Sequence, residues 1–129
     1  MDEMIGVLDT SVVLAADVPP LPGQLAISAA TLAELHFGVL DANIPAIRAE
    51  RLRRLALVER SFEPLPVDAA VARSYGLLAA AVAGGGRQPR SRIMDLLIVA
   101  TAHAHGARLY TRNAADLRGL TDLVEIVEP

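Results

Sequence analysis

Apolar residues along this chain recur in two rhythms. Ile5-Gly6-Val7-Leu8 is a short continuous apolar run that stops at Asp9, Thr10 and Ser11, as a buried strand does on leaving its sheet. Leu25 to Ser28, Phe62 to Val67, Ala107 to Tyr110 and Leu123 to Val127 read as further short strands. The prolines at 64 and 66 predict that the third lies at a sheet edge, where a missing N–H costs least. Between the strands the spacing turns helical. Thr10-Ser11 is expected to cap a short helix over Val12 to Ala16, which Pro19 to Gly23 ends. From Ala30, Leu32, Leu35, Val39 and Leu40 recur at helical intervals. Pro45 opens a helix to about Arg60, with Ile47, Leu52, Leu55 and Val58 inside and Arg48, Arg51, Arg53 and Arg54 on the polar side, which reads first as a solvated face and second as an RNA site. Asp68 caps a helix through about Val82, Gly84 to Arg90 is a loop, and Ser91 to His105 is a buried helix stopped by Gly106. A short helix carries Asp116 before the last strand. This alternation predicts an α/β fold with a mostly parallel sheet and helices on both faces.

Composition narrows the picture. At 129 residues the chain fits a single domain spanning 1–129, large enough for a core without staples. It is 53% hydrophobic but only 3% aromatic, so the core is built from Ala, Val, Leu and Ile. The absence of cysteine excludes disulfides, thiolate zinc sites and cysteine nucleophiles. Asp2 and Glu3 stand where a secretory signal carries positive charge, and Asp95 interrupts the longest late apolar run. A cytoplasmic protein with no membrane span is the expectation.

Four acids carry the chemistry. Asp9 is where the first strand delivers a side chain to the crevice beyond the carboxyl ends of an open α/β sheet. Glu34 in Thr31-Leu32-Ala33-Glu34-Leu35, Asp95 in Ile93-Met94-Asp95-Leu96-Leu97 and Asp116 in Asn113-Ala114-Ala115-Asp116-Leu117 are lone carboxylates in or beside apolar runs. A single such acid is commonly a capping residue. Four that converge repel one another unless a cation cancels the charge. Oxygen donors without cysteine select Mg²⁺ or Mn²⁺ over zinc, and His36, His103 and His105 lack ligand spacing. A carboxylate site of this kind suits phosphoryl transfer. Thr10, Ser11, Thr111 and Asn113 are placed to orient the ligands or to contact a scissile phosphate.

Charge does not oppose a polyanionic substrate. The formal net charge is −3, but with those four acids set aside the remaining acids and bases nearly balance. All 12 basic residues are arginine, which reads first as compositional bias and second as a preference suited to gripping phosphate. The glycines of Gly84-Gly85-Gly86-Arg87-Gln88-Pro89-Arg90 lack the Gly-Lys-Ser/Thr ending of a nucleotide-binding loop, although the arginines there are positioned to meet a substrate backbone.

These residues carry a resemblance. Leu8-Asp9-Thr10-Ser11, Ala33-Glu34-Leu35 followed by Gly38, Asp95-Leu96-Leu97-Ile98-Val99-Ala100-Thr101-Ala102, and Thr111-Arg112-Asn113-Ala114-Ala115-Asp116-Leu117 resemble, in order and spacing, the four motifs of PIN-domain ribonucleases. More narrowly, they resemble the VapC toxins of toxin–antitoxin pairs. The resemblance implies a three-layer α/β/α fold with about five strands. It also implies a Mg²⁺- or Mn²⁺-dependent endoribonuclease acting on structured RNA such as tRNA or rRNA, commonly a homodimer, inhibited by a cognate VapB-type antitoxin. Asp9, Asp95, Asp116 and Glu34 would be the metal-binding and catalytic acids. The antitoxin is expected on the apolar helical surface around Leu32 to Leu55. Asn113 stands where some relatives carry a further acid, which weakens the case for a second tightly held ion. A non-catalytic PIN-like protein-binding module is the rival from another class, and retention of all four acids argues against it. A metal-dependent phosphatase of the haloacid-dehalogenase kind needs a second acid where Ser11 stands, and a phosphorelay receiver needs a lysine that this chain lacks.

Overall fold

The computed structural model describes residues 4–129, so Asp2 and Glu3 lie outside it. Among the described residues five strands form one parallel sheet: β1 (Ile5–Leu8), β2 (Gln24–Ser28), β3 (Pro64–Leu65), β4 (Arg108–Tyr110) and β5 (Ile126–Val127), in the order β3-β2-β1-β4-β5. The helices are α1 (Thr10–Val13), α2 (Ala29–Asp41), α3 (Pro45–Ser61), α4 (Ala69–Gly84) and α5 (Ile93–Ala104), with 3₁₀ turns at Pro89–Arg92 and Ala114–Leu120.

Alternation along the strands divides the core between the two faces of the sheet. Val7 and Leu109 pack into one cluster with Val71 and Leu78 of α4 and Leu96, Val99 and Ala100 of α5. Their strand neighbours Leu8 and Tyr110, with Ile27 of β2, pack on the other face against Val12 of α1 and Val58 of α3. The result is the expected α/β/α sandwich. Gly6 belongs to this fit, because a Cβ there would sit 2.5 Å from the buried Tyr110 ring.

Helix ends follow local chemistry. Ser28 caps α2 by accepting the Ala30 N–H at 3.0 Å, and Asp68 caps α4 through the Val71 N–H at 3.1 Å. Pro45 occupies the first turn of α3, and Gly106, at φ +60°, closes α5. Several expectations are corrected. Thr10 is the first helical residue of α1 rather than its cap, and Asp9 takes the capping position without bonding the helix amides. The third strand shrinks to two residues but does lie at the edge. Residues before Ile93 form a 3₁₀ turn rather than the start of α5, and Asp116 sits in 3₁₀ rather than α geometry. Ile47, Leu52 and Leu40 are exposed, whereas Leu55 and Val58 are buried.

Candidate active site

The parallel order places a topological switch between β1 and β4, where the chain leaves β1 in one direction and returns on its other side. Crevices at such points collect ligands beyond the strand ends. Asp9 follows β1 and Thr111 follows β4, and the Asp9 N–H donates to the Tyr110 carbonyl at 2.9 Å, so the two strand ends are held together. The Thr111 and Ser11 hydroxyls both donate to Asp9 Oδ2, each at 2.8 Å. The main chain fixes those hydroxyls in turn. Ser11 Oγ accepts the Arg112 N–H and Thr111 Oγ1 accepts the Asn113 N–H, each at 3.0 Å. The β4 loop thus wraps around one oxygen of Asp9 and leaves Oδ1 without a hydrogen bond among the described residues.

Asp9, Asp95 and Asp116 line one cleft of about 20 Å³ with Thr111, Asn113, Val99, Leu109 and Leu117. That volume is on the scale of one water or one bare ion. Asp95 enters it from the first turn of α5, and Asp116 from the 3₁₀ turn after β4. Burial pushes the Asp95 carboxyl up from its ordinary 3.8, repulsion from Asp9 adds to this, Arg92 opposes it, and Asp116 adds a smaller repulsion.

Glu34 departs from the expected convergence. It opens into a neighbouring cleft of about 390 Å³ lined by Thr10, Leu14, Leu35, Gly38, Arg51 and Arg54. The Thr10 hydroxyl donates to Glu34 Oε1 at 2.7 Å. Since that spends the only hydroxyl proton of Thr10, Thr31, 3.1 Å away, is left to donate to Thr10. Burial raises the Glu34 carboxyl above its ordinary 4.5, the Thr10 bond works against the shift, and repulsion from Asp95 and Asp9 reinforces it. Glu34 therefore shares the field of the cleft acids although it does not line their cleft. Among the described residues no three acids or histidines stand close enough to hold one ion together. His36 lies 3.7 Å from Glu59 and His103 bonds Ser74 at 2.8 Å, so both have partners elsewhere.

Two participants escaped the sequence reading. Thr31, fully buried, completes the Thr10–Glu34 chain. Arg92 lies 3.5 Å from Asp116 Oδ2 and is the base that offsets Asp95. Its position three residues ahead of Asp95 at a helix start is the signal that marks it.

Sheet order, strand-end acids and hydroxyl clamp define the class, and comparison with known proteins agrees. A family model described as the PIN domain matches residues 6–118. The chain is 41% identical over 114 residues to Ribonuclease VapC5 of Mycobacterium tuberculosis, covering 84% of this chain and 82% of that protein. It is 37% identical over 102 residues to Ribonuclease VapC8 of the same species, covering 76% and 90%. Among solved structures it superposes with a TM-score of 0.85 at 40% identity on a chain of the Mycobacterium tuberculosis VapBC-5 toxin–antitoxin structure, covering 97% of this chain and 98% of that one. VapBC2 from Rickettsia felis, solved on a DNA fragment from its promoter, superposes at 0.79 with 25% identity, over 98% of this chain and 99% of that one. The chain belongs to the PIN-domain family, and within it to the VapC ribonucleases.

Proposed function

We propose that this chain is the endoribonuclease toxin of a VapBC-type pair, cutting structured RNA such as tRNA or rRNA with Mg²⁺ or Mn²⁺ and silenced by a cognate VapB-type antitoxin. The observation that carries the reading is the small cleft at the sheet's switch point, walled by Asp9, Asp95 and Asp116, in a chain 41% identical to a VapC ribonuclease. The fit to a hard divalent cation rests on donor chemistry alone: oxygen donors, three of them carboxylates, face a water-sized space with no soft ligand in the wall, and the carboxylates would have to draw together around the ion. Such an ion, bound there, supplies an activated water and offsets charge on the scissile phosphate.

The chain's own residues do the rest. Ser11 and Thr111 hold one oxygen of Asp9 and leave the other for the ligand. Thr10 fixes Glu34 in the adjoining cleft, where Arg51 and Arg54 offer positive charge to an RNA backbone. Asn113 and Thr111 line the cleft where a scissile phosphate would lie. The antitoxin is assigned to the apolar surface of α2 and α3, where Phe37 is 67% and Leu40 72% exposed, because large exposed apolar side chains mark interaction surfaces. The toxin is taken to work as a homodimer. Among the described residues no helix is long and apolar enough to cross a membrane.

Expression without antitoxin tests the reading in cells. Wild type is expected to arrest growth, and Asp9→Asn and Asp95→Asn, which keep size and remove charge, are expected to relieve the arrest. Folded, fully toxic forms of both variants would contradict the assignment.

A further inference from the structure

Asp116 also lines a further cavity, of about 200 Å³. Arg87, Arg92 and Arg118 line it above an apolar floor that includes Val82, Leu117 and Leu120. Arg87 Nη1 and Arg92 Nη1 both donate to the Asp116 carbonyl, at 3.1 and 2.7 Å, and Arg92 Nη2 lies 3.5 Å from Asp116 Oδ2. These bonds use a minority of the five N–H groups that each guanidinium presents. Arg118 has no side-chain hydrogen bond or ion pair among the described residues.

We propose that this cavity binds a backbone phosphate of the RNA, the one next along the strand from the phosphodiester that is cut; the inference rests on the ribonuclease reading. Three guanidinium groups face one carboxylate, so the wall carries excess positive charge. A concave wall with an apolar floor focuses that field on an anion. The planar fork of arginine matches phosphate oxygens, and Arg92, only 20% exposed, is already held in place. Asp116 lines both cavities, so a strand crossing the acid cleft delivers its neighbouring phosphate here. Bracing of the 3₁₀ turn accounts for Arg87 and Arg92 alone. Arg118 braces nothing through its side chain, and its presence in the same wall is what points to a ligand.

The test is anisotropy binding of a short fluorescein-labelled oligouridylate in chelator, measured across a salt series so that no cleavage occurs. Each phosphate contact on single-stranded RNA contributes about 0.7 to the slope of log affinity against log salt. Arg118→Gln and the double variant Arg87→Gln with Arg118→Gln are compared with wild type and with Arg73→Gln, an exposed arginine near the other end of α4. The double variant is expected to lose about 0.7 of slope and to bind severalfold more weakly at low salt, while Arg73→Gln keeps the wild-type slope. Arg118→Gln has no native contact to lose, so it reads the site even if Arg87→Gln loosens the turn. Wild-type slopes in both cavity variants overturn the subsite and leave the ribonuclease reading standing. Saturable binding of inorganic phosphate with unchanged RNA slopes indicates a site for a small free anion, and overturns it too. Complete lack of RNA binding by wild type also overturns the subsite, and metal-dependent cleavage then decides separately whether the ribonuclease reading falls with it.

Discussion

Asp95 stands in a field of like charge, with Asp9 and Asp116 on one side of the balance and Arg92 on the other. Without metal that repulsion strains the fold, so Asp95→Asn is expected to melt higher than wild type in chelator. The gain is on the order of 0.5 kcal/mol, the low end for relief at a functional site, because the carboxyl is only partly desolvated and solvent still screens it. Titration with Mg²⁺ should narrow or reverse the gap, since an ion bound only by the folded state stabilises the protein that keeps the ligand. A variant less stable than wild type in chelator, and equally stabilised by Mg²⁺, would make Asp95 a structural residue. The pH dependence has a definite sign. The Asp95 and Glu34 carboxyls are raised above 3.8 and 4.5, so the folded state takes up their protons at higher pH than the unfolded chain does. Their stabilising contribution is fully present below those ordinary values and is lost as pH rises through the raised ones. Metal-free protein should therefore melt higher as pH falls from neutral toward those ordinary values, and Asp95→Asn should flatten that trend. Ser11→Ala removes one of two donors to Asp9 and the acceptor for the Arg112 N–H. Cleavage should fall about 10- to 100-fold, the usual cost of losing a group that orients a ligand, with a fold unchanged by circular dichroism. Undiminished cleavage would show that the clamp is dispensable.

At the scale of elements, the buried hydroxyls of Ser28 and Thr101 join α2 and α5. Ser28 Oγ accepts the Ala30 N–H, while Thr101 lies 3.0 Å from Ser28 Oγ and donates to the Leu97 carbonyl at 2.8 Å. Ser28→Ala removes a cap and a partner together, so it should cost about 1–2 kcal/mol, read as a lower urea midpoint at unchanged slope. Strand ends and helix caps of this kind were legible in the sequence because the residue that ends an element is also the residue that bonds there: Asp9 after β1, Asp68 before α4, Gly106 after α5. The buried face of α3 was not. Leu52, Leu55 and Val58 repeat at intervals of three, and such a row drifts by about 60° per step around a helix of 3.6 residues per turn. Leu52 consequently lies about 120° from Val58 and faces solvent. The acids were legible as strand-end and helix-start residues, but their partition was not. No local pattern reveals that Thr10 and Thr31 draw Glu34 into a separate cleft, or that Arg92 sits against Asp116, since both follow from contacts between distant segments.

For the whole molecule, the sheet order puts Asp9, Asp95 and Asp116 at one end of the sandwich, and α2 carries both Glu34 and the exposed Phe37 and Leu40. If the antitoxin covers that surface, Leu40→Asp should change stability by no more than about 0.5 kcal/mol, as surface changes usually do. It should weaken antitoxin binding more than tenfold, because truncating a central apolar anchor removes a large share of binding energy. Unchanged affinity, measured by calorimetry, would place the partner elsewhere. Whether Asp9 and its neighbouring acids hold a divalent cation for RNA hydrolysis is read from cleavage itself. Purified protein free of antitoxin is incubated with total tRNA and rRNA in Mg²⁺ or Mn²⁺ and in chelator, beside Asp9→Asn and Asp95→Asn, and the 5′ ends of the products are mapped. Discrete cleavage by wild type with metal is expected, with none in chelator and at least about a 100-fold loss in both variants, the scale for removing a key electrostatic group. Cleavage that persists in chelator, or at the wild-type rate in both folded variants, would contradict that role for the acids.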